Sequence, residues 1–525
     1  MIHSRTIQPT KNVIPTGVAH SATQLIKKVI PTGVARSATQ RRDLLFSRMP
    51  TNHQPTPTIT NLALILFGAL LVYFCRLGNI EADHYVIGFS AVAFSQAILF
   101  TAALWAILTQ PTNRYTFAII IAFAVACRLV LLFHAPFLSS DVYRYIWDGR
   151  VQAAHINPYR YVASDPHLKF LVDDKIFPHM NRRDYAHTIY PPGAQFFYLL
   201  ITRISESITW MKTAMVGFEV LTCWALLDLL RDLNLRREYL LIYAWNPLLL
   251  WEVASSGHMD AMAIAFMTFA LLFRLRNQPL LTGLALGMAT LTKLYPIILL
   301  PALFRRGQRD AWKMPLYCAA LIAFGYACYG SVGSMVLGFL PNYVQEEGMK
   351  SGSRYFLLTL TRNLTHIQSI PTAAYLAFCA LIFAGLSIWA YRRPKNSHDH
   401  PTAFIPSAFN LASALMLLFS PHYPWYFLWI IPFTVLIPYV PAIFYITACF
   451  FLYTTEFAAP GPKMYYMNEW LYGTLLVVVA ADWARRRWMP VRETNPAYSA
   501  SPLFFARHPD RAQRRGTPTD ATNSD

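Results

Sequence analysis

The sequence predicts an all-α bundle that crosses a membrane about 12–14 times and carries one large extramembrane loop. Three observations predict it. The 525 residues are 55% hydrophobic and only 14% charged, against about a quarter charged in a soluble domain, and mean hydropathy is +0.32. Apolar runs recur throughout residues 59–488. Arg and Lys cluster in short segments between those runs, so long stretches of apolar surface are left to face lipid.

Residues 1–58 read as a polar, disordered tail with a duplicated segment, VIPTGVAHSATQ at Val13–Gln24 and VIPTGVARSATQ at Val29–Gln40. Two copies are too few for a solenoid, and the stretch lacks the layout of a signal peptide. Met49 stands as a candidate start just ahead of the first apolar run. Apolar runs follow at about 60–77, 86–108, 116–136, 209–230, 239–254, 259–275, 279–291, 294–304, 314–338, 371–391, 403–420, 424–438, 441–455 and 469–486. A full span needs about 20 residues, so some of these are short, tilted or re-entrant. Pro breaks at their ends, such as Pro296, Pro301, Pro421 and Pro424, suit either a cavity or plain helix ends. Residues 489–525, polar and rich in Pro and Arg, read as a disordered cytoplasmic tail.

The net charge is +18, a value that often marks a nucleic-acid binder. Its placement excludes that class. The cations gather between apolar runs as Arg231, Arg236 and Arg237; Arg274 and Arg276; Arg305, Arg306, Arg309 and Lys313; Arg392, Arg393 and Lys395; and Arg485, Arg486 and Arg487. That is the bias of cytoplasmic loops. Arg41, Arg42 and Arg48 precede the first span and put the N-terminus in the cytoplasm. Three spans then place 137–208 outside, and the run 209–230 returns the chain, so 194–204 is interfacial or re-entrant. Every basic cluster then falls inside, with a cytoplasmic C-terminus. The turn 255–258, Lys293, 339–370, 421–424 and 456–468 fall outside. The seven Cys show no CxxC and read as small buried hydrophobes. Gly283 and Gly287 form a GxxxG pair suited to close helix packing. Arg128, inside the third span, is expected to pair with a carboxylate.

Directly after the third run comes DVYRYIWDGR, Asp141 to Arg150. On a helix Asp141, Arg144, Tyr145 and Asp148 share one face. A carboxylate at the membrane surface, flanked by Arg and aromatics, suits a base acting on a hydroxyl; the plainer reading is an ion-pair ladder. The loop is long and dense in aromatic and turn residues, including Asn157-Pro158-Tyr159 and Tyr190-Pro191-Pro192-Gly193, and such loops usually carry function. A second patch runs from Glu252 through Ser255, Ser256 and His258 to Asp260. Ionisable residues so close to spans are functional candidates, or else a hydrogen-bonded helix-end turn. His258 has no partner at metal-ligand spacing. Lys293 and Tyr295 form a third patch, a cation able to meet a phosphate or to reach water from the interface. His422 sits in a fourth, SPHYPWY, whose aromatics also suit an interfacial belt. Arg354-Tyr355-Phe356 is a weaker fifth.

Together these patches put carboxylates and cations on one face. A lipid-phosphate sugar carries its own leaving group, so one carboxylate base and one or two cations suffice for transfer. Asp141 and Asp148 are the candidate catalytic carboxylates. Arg144, Arg150, Tyr190, Glu252, His258, Asp260, Lys293, Tyr295 and His422 are the candidate substrate-binding residues. No P-loop, GxGxxG, HExxH or GxSxG is present, which removes support for an ATP-driven pump or a lipase of known motif.

At these residues the chain resembles the GT-C superfamily of polytopic glycosyltransferases, and among them the bacterial polyprenol-phosphate-mannose-dependent mannosyltransferases. The matching segments are DVYRYIWDGRVQAAHINPY (141–159), TIYPPGAQFF (188–197), WNPLLLWEVASSGHMDA (245–261), LGMATLTKLYPIILLP (286–301) and SPHYPWYFLWIIPF (420–433). The resemblance implies inverting transfer of a sugar, expected to be mannose, from a polyprenyl-phosphate donor to a glycan or glycolipid acceptor at the outer face of a bacterial inner membrane. It implies Asp141 as base with Asp148 the runner-up, Arg144, Arg150 and Lys293 toward the lipid phosphate, and His258 with Asp260 toward phosphate or sugar. No cofactor beyond the donor and no metal ligand set is expected. The family's acidic loop usually follows one span; here three runs precede it. Two rivals remain: a transporter or flippase for a lipid-linked or anionic substrate, and a polymerase or ligase of lipid-linked glycans.

Overall fold

In lipid a backbone has only itself to hydrogen-bond, so apolar runs become helices. The computed structural model describes residues 57–82, 86–392, 402–455 and 462–488, and among them is helical throughout its regular elements. The duplicated segment, Met49, Arg393, Lys395 and the stretch 489–525 lie outside the described residues. We number the helices of eight residues or more: α1 (Pro57–Ala82), α2 (Val86–Thr109), α3 (Arg114–Leu132), α4 (Asp141–Ala153), α5 (Pro192–Thr202), α6 (Ile208–Asp232), α7 (Asp260–Leu275), α8 (Pro279–Thr292), α9 (Lys313–Cys328), α10 (Phe356–Thr365), α11 (Thr372–Arg392), α12 (Phe404–Phe419), α13 (Val440–Ala448) and α14 (Pro462–Trp488).

Helices α1 and α3 run parallel, with α2 returning between them. Asn113 caps α3 by accepting from the Tyr115 and Thr116 amides at 2.9 and 3.3 Å, while Thr116 Oγ1 accepts from the Asn113 amide. This reciprocal box satisfies donors that lipid would leave bare. Asn61 of α1 donates to the same Asn113 Oδ1 at 3.0 Å, so both helices start at one end. At their other end Arg76 Nη1 lies 3.4 Å from His134 Nε2. Three helices therefore precede the acidic loop, as the runs predict.

The basic clusters gather at the end where α1 and α3 begin. Arg276 binds Asp228 at 2.6 Å and Asp232 at 2.8 Å. Arg236 donates to Thr112 Oγ1 at 3.0 Å. The Arg306 guanidinium lies 5.2 Å over Tyr391, and that of Arg486 5.6 Å over Tyr439. Helix α7 runs from Asp260 to this end over 16 residues, about 24 Å. Its first residue is thus at the opposite end.

Among the described residues, five helices can cross a bilayer by length and composition: α1, α2, α3, α6 and α11. A sixth span is counted if α9 and Gly330–Glu346, bent by 111°, act as one. The other runs are shorter or broken. Residues 237–255 divide into short 3-10, α and π pieces, as do 295–303 and 424–436. The reason is enclosure. Residues 238–265 are nearly all buried, and bilayer thickness sets helix length only for helices that face lipid. The lipid-facing role falls to exposed side chains such as Leu66, Trp105, Trp224, Leu381 and Leu476. Helix α5, 11 residues long, is too short to span and packs on α4.

Two expectations meet their structural basis here, and one is corrected. A Cβ on Gly283 would run into the Met314 carbonyl oxygen, and one on Gly287 would stand 3.1 Å from that of Cys318. The pair therefore lets α8 and α9 approach closely. Arg128 Nε and Nη2 donate to the Glu219 carboxylate of α6, both at 3.0 Å, and Nη1 to the carbonyls of Ala124 and Ala244. The Cys residues are not uniformly buried: Cys223 is half-buried and Cys328 exposed.

Removing one partner of a buried ion pair strands the other charge, at a cost of about 3–5 kcal/mol. Glu219→Leu is therefore expected to lower the thermal midpoint of the purified protein in detergent by several degrees. Adding Arg128→Met to it is expected to recover most of the loss.

Candidate active site

At the end opposite the basic clusters lies a cavity of about 990 Å³. Its walls come from the segments that the charge bias assigns to one face: 137–190, 258–260, Lys293, 339–354 and 421–426. Asp141, Arg144, Tyr190, His258, Asp260, Lys293 and Tyr295 all line it. Asp148, Arg150, Glu252 and His422 are absent from its lining.

Asp141 is the first residue of α4, where the helix dipole favours a negative charge. Its amide donates to Ser139 Oγ at 3.2 Å, and its Oδ1 accepts from Asn181 Nδ2 at 3.1 Å. Burial pushes this carboxyl above the ordinary aspartate range; the Asn181 hydrogen bond and the charges of Lys293 and Arg182 oppose the rise. A carboxylate so tuned accepts a proton more readily than a solvated one.

Helices α7 and α8 are antiparallel neighbours, so the start of one adjoins the end of the other. That places Asp260 at a helix N-terminus and Lys293 at a C-terminus, each with the favourable dipole. Lys293 Nζ donates to both Asp260 oxygens, at 2.6 and 2.7 Å, and Tyr295 OH reaches Oδ1 at 3.3 Å. Nζ also sits 4.6 Å over the Tyr426 ring. Burial disfavours the Lys293 charge, but Asp260 outweighs it and the pKa ends above the ordinary lysine value.

The turn before α7 brings in His258. Gly257 takes a left-handed φ of +76° there, packed beside Lys212 and Val142, a conformation that glycine adopts without strain. The His258 ring stacks on Trp425 with centroids 4.4 Å apart, and Trp425 stacks on Tyr423 at 4.5 Å. Its Nε2 lies 3.2 Å from Glu252 Oε2. Burial, with Lys293 adding repulsion, holds His258 well below the usual imidazole range, so it is neutral at pH 7. Glu252 is fully buried behind this wall, in the π-helical segment Leu250–Ser255.

Asp148 shares a helical face with Asp141 but lies seven residues on, about 10 Å deeper. Its Oδ1 accepts from Arg144 Nε at 2.9 Å. Its Oδ2 accepts from Gln195 Nε2 at 2.8 Å and from Thr188 Oγ1. Arg144 also donates to the Ala186 carbonyl at 3.2 and 3.3 Å. These bonds join α4, α5 and the 186–188 strand of loop. Arg150 is engaged away from the cavity, by Asp173 at 2.8 Å, Glu206 at 2.9 Å and the Leu171 carbonyl.

Several lining residues escaped the sequence reading. Asn181 and Arg182 lie 40 residues or more beyond Asp141 in an irregular loop with no periodicity to read. Arg182 donates to Glu346 Oε1 at 2.7 Å, and Tyr343 OH lies 3.2 Å from Tyr426 OH. Arg354, the weakest sequence candidate, is 3% exposed and lines the cavity. Its Nη1 bonds Glu347 Oε2 and lies 3.0 Å from His422 Nδ1. Burial and Arg354 hold His422 down to about 2. Among the described residues no three His, Cys, Asp or Glu side chains form a metal-ligating group.

Residues 59–305 match the MptA_B family, described as alpha-(1->6)-mannopyranosyltransferase, N-terminal domain. No curated protein matches the chain.

The two acidic candidates differ in what they hold. Asp148→Asn is expected to lower the thermal midpoint and to speed proteolysis of the 154–190 loop, because Arg144 loses its buried partner. Asp141→Asn is expected to leave both readouts near wild type.

Proposed function

We propose that this chain, whose residues 59–305 match the N-terminal domain of an alpha-(1->6)-mannopyranosyltransferase family, is a membrane mannosyltransferase of GT-C type using a polyprenyl-phosphate sugar donor. The observation that carries the reading is one cavity lined by Asp141, the Lys293–Asp260 pair and a wall of aromatic rings. Asp141 accepts the proton of an acceptor hydroxyl as its oxygen attacks the anomeric carbon. The new C–O bond forms while the bond from that carbon to the phosphate oxygen breaks, and the electron pair leaves with the lipid phosphate. Attack from the face opposite the phosphate inverts the anomeric centre. The charge that develops is a phosphate anion, which needs a cation and not an acid. His258, neutral by burial, is suited to hydrogen-bond a sugar hydroxyl.

The same reading places the cavity at the outer face of a bacterial inner membrane, with both termini cytoplasmic. It is supported by the collection of the basic clusters at the other end of the helices, the bias of cytoplasmic loops. The acceptor is a glycan or glycolipid. Residues 59–488 are the transferase domain.

Incubating the purified protein with polyprenyl-phosphate mannose and a mannoside acceptor is expected to release polyprenyl phosphate. Asp141→Asn is expected to lower kcat by about a hundredfold or more, the usual range for a lost general base; full activity in that variant excludes Asp141 as the base. The base works deprotonated, so kcat/KM falls as pH drops through its pKa. Because burial raises that pKa, the acid limb should lie above the ordinary aspartate value of about 3.9. Asn181→Ala removes a hydrogen bond to the charged form and should move that limb to higher pH.

A further inference from the structure

A phosphate buried among apolar walls needs a cation with N–H groups still open. The cations expected for that task are engaged elsewhere. Arg144 is held by Asp148 and the Ala186 carbonyl, and Arg150 by Asp173 and Glu206 outside the cavity. Lys293 gives two bonds to Asp260 and faces the Tyr426 ring. Arg182 is held by Glu346.

Arg354 differs from Arg144, Arg150 and Lys293 in its open N–H groups, and from Arg182, whose side chain is 29% exposed and whose Nη2 lies 3.6 Å from Glu347, in being buried. It lines the cavity at 3% exposure, yet only Nη1 is engaged, by Glu347 and His422, and the buried Nε has no acceptor. Its guanidinium lies 5.7 Å over the Tyr423 ring, and Tyr423 OH donates to Glu347 Oε1 at 3.1 Å. Glu347, His422 and Tyr423 thus fix the plane of a fork whose remaining edge is unused. Leu415, Met416 and Phe419 of α12, with Leu340 and Met349, line the same cavity with apolar surface.

Resting on the mannosyltransferase reading above, we propose that Arg354 is the anchor of the donor's phosphate and that the isoprenoid chain lies along the apolar face of α12. The planar fork presents two N–H groups to two phosphate oxygens, a geometry that an ammonium cannot reproduce. Both Arg354 and its braces lie beyond residues 59–305, so the half of the chain outside the family match completes the site.

The test is binding of a short polyprenyl phosphate, without sugar, to the purified full-length protein, followed by tryptophan fluorescence, with the neutral polyprenol as comparison. Wild type and Asp141→Asn are expected to bind the phosphate more tightly than the polyprenol. Arg354→Gln is expected to lose about ten- to a hundredfold of that affinity while binding the polyprenol as wild type does. Arg354→Lys should recover part of the loss. Because Arg354→Gln strands Glu347, the variant Arg354→Gln/Glu347→Gln is carried in parallel with its thermal midpoint measured, and is expected to fold and still show the loss. Wild-type affinity for the phosphate in the folded double variant overturns the assignment alone. Failure of the wild type to prefer the phosphate overturns the assignment and the donor reading together.

Discussion

Ionisable groups withdrawn from water must be paired, and this one constraint organises the molecule. Four buried pairs meet across elements or turns: Arg128 with Glu219, Arg144 with Asp148, Lys293 with Asp260, Arg354 with Glu347. Because a lone charge in such surroundings is costly, each pair acts as a register mark. Two of the pairs fix α3 against α6 and α7 against α8; the other two lie within one segment and reach their neighbours by further bonds, Arg144 to the Ala186 carbonyl, Asp148 to Thr188 and Arg354 to His422.

Pairing also divides structural charges from chemical ones. Asp148 has both oxygens engaged, by Arg144, Thr188 and Gln195, so it holds the loop together. Asp141, seven residues earlier on the same face, opens into the cavity with Asn181 as its hydrogen-bonding neighbour. Two carboxylates of one helix thus meet different surroundings, two turns apart. The broken helices serve the same end. A continuous α-helix satisfies its own backbone, whereas the 3-10, α and π pieces of 237–255 and 424–436 end and turn within the protein, where side chains can be aimed at one space. Such irregular backbone is tolerated at depth because protein encloses it.

Much of the fold was legible. Apolar runs located the helices, and the Arg clusters sorted the intervening segments into two ends; the structure brings the segments of one end around the cavity and those of the other into contact. The GxxxG pair and the Arg128 partnership were readable because each has a strong local physical cause. Of the site residues, Asp141, His258, Asp260 and Lys293 were legible because charges beside apolar runs are rare. Asn181, Arg182 and Glu347 were not, because they sit in irregular segments where no period constrains direction. Arg354 looked like one more loop cation.

The sequence by itself determined that the chain is an all-α membrane bundle and which segments share an end, since both follow from composition and from the position of charge along the chain. Only the tertiary structure decided which charges neutralise each other and which are left facing the cavity. That outcome depends on distances between residues 40 to 90 positions apart, such as Asp141 and Asn181 or Arg128 and Glu219. Helical periodicity reports a shared face over a few turns, and electrostatic pairing is settled through space.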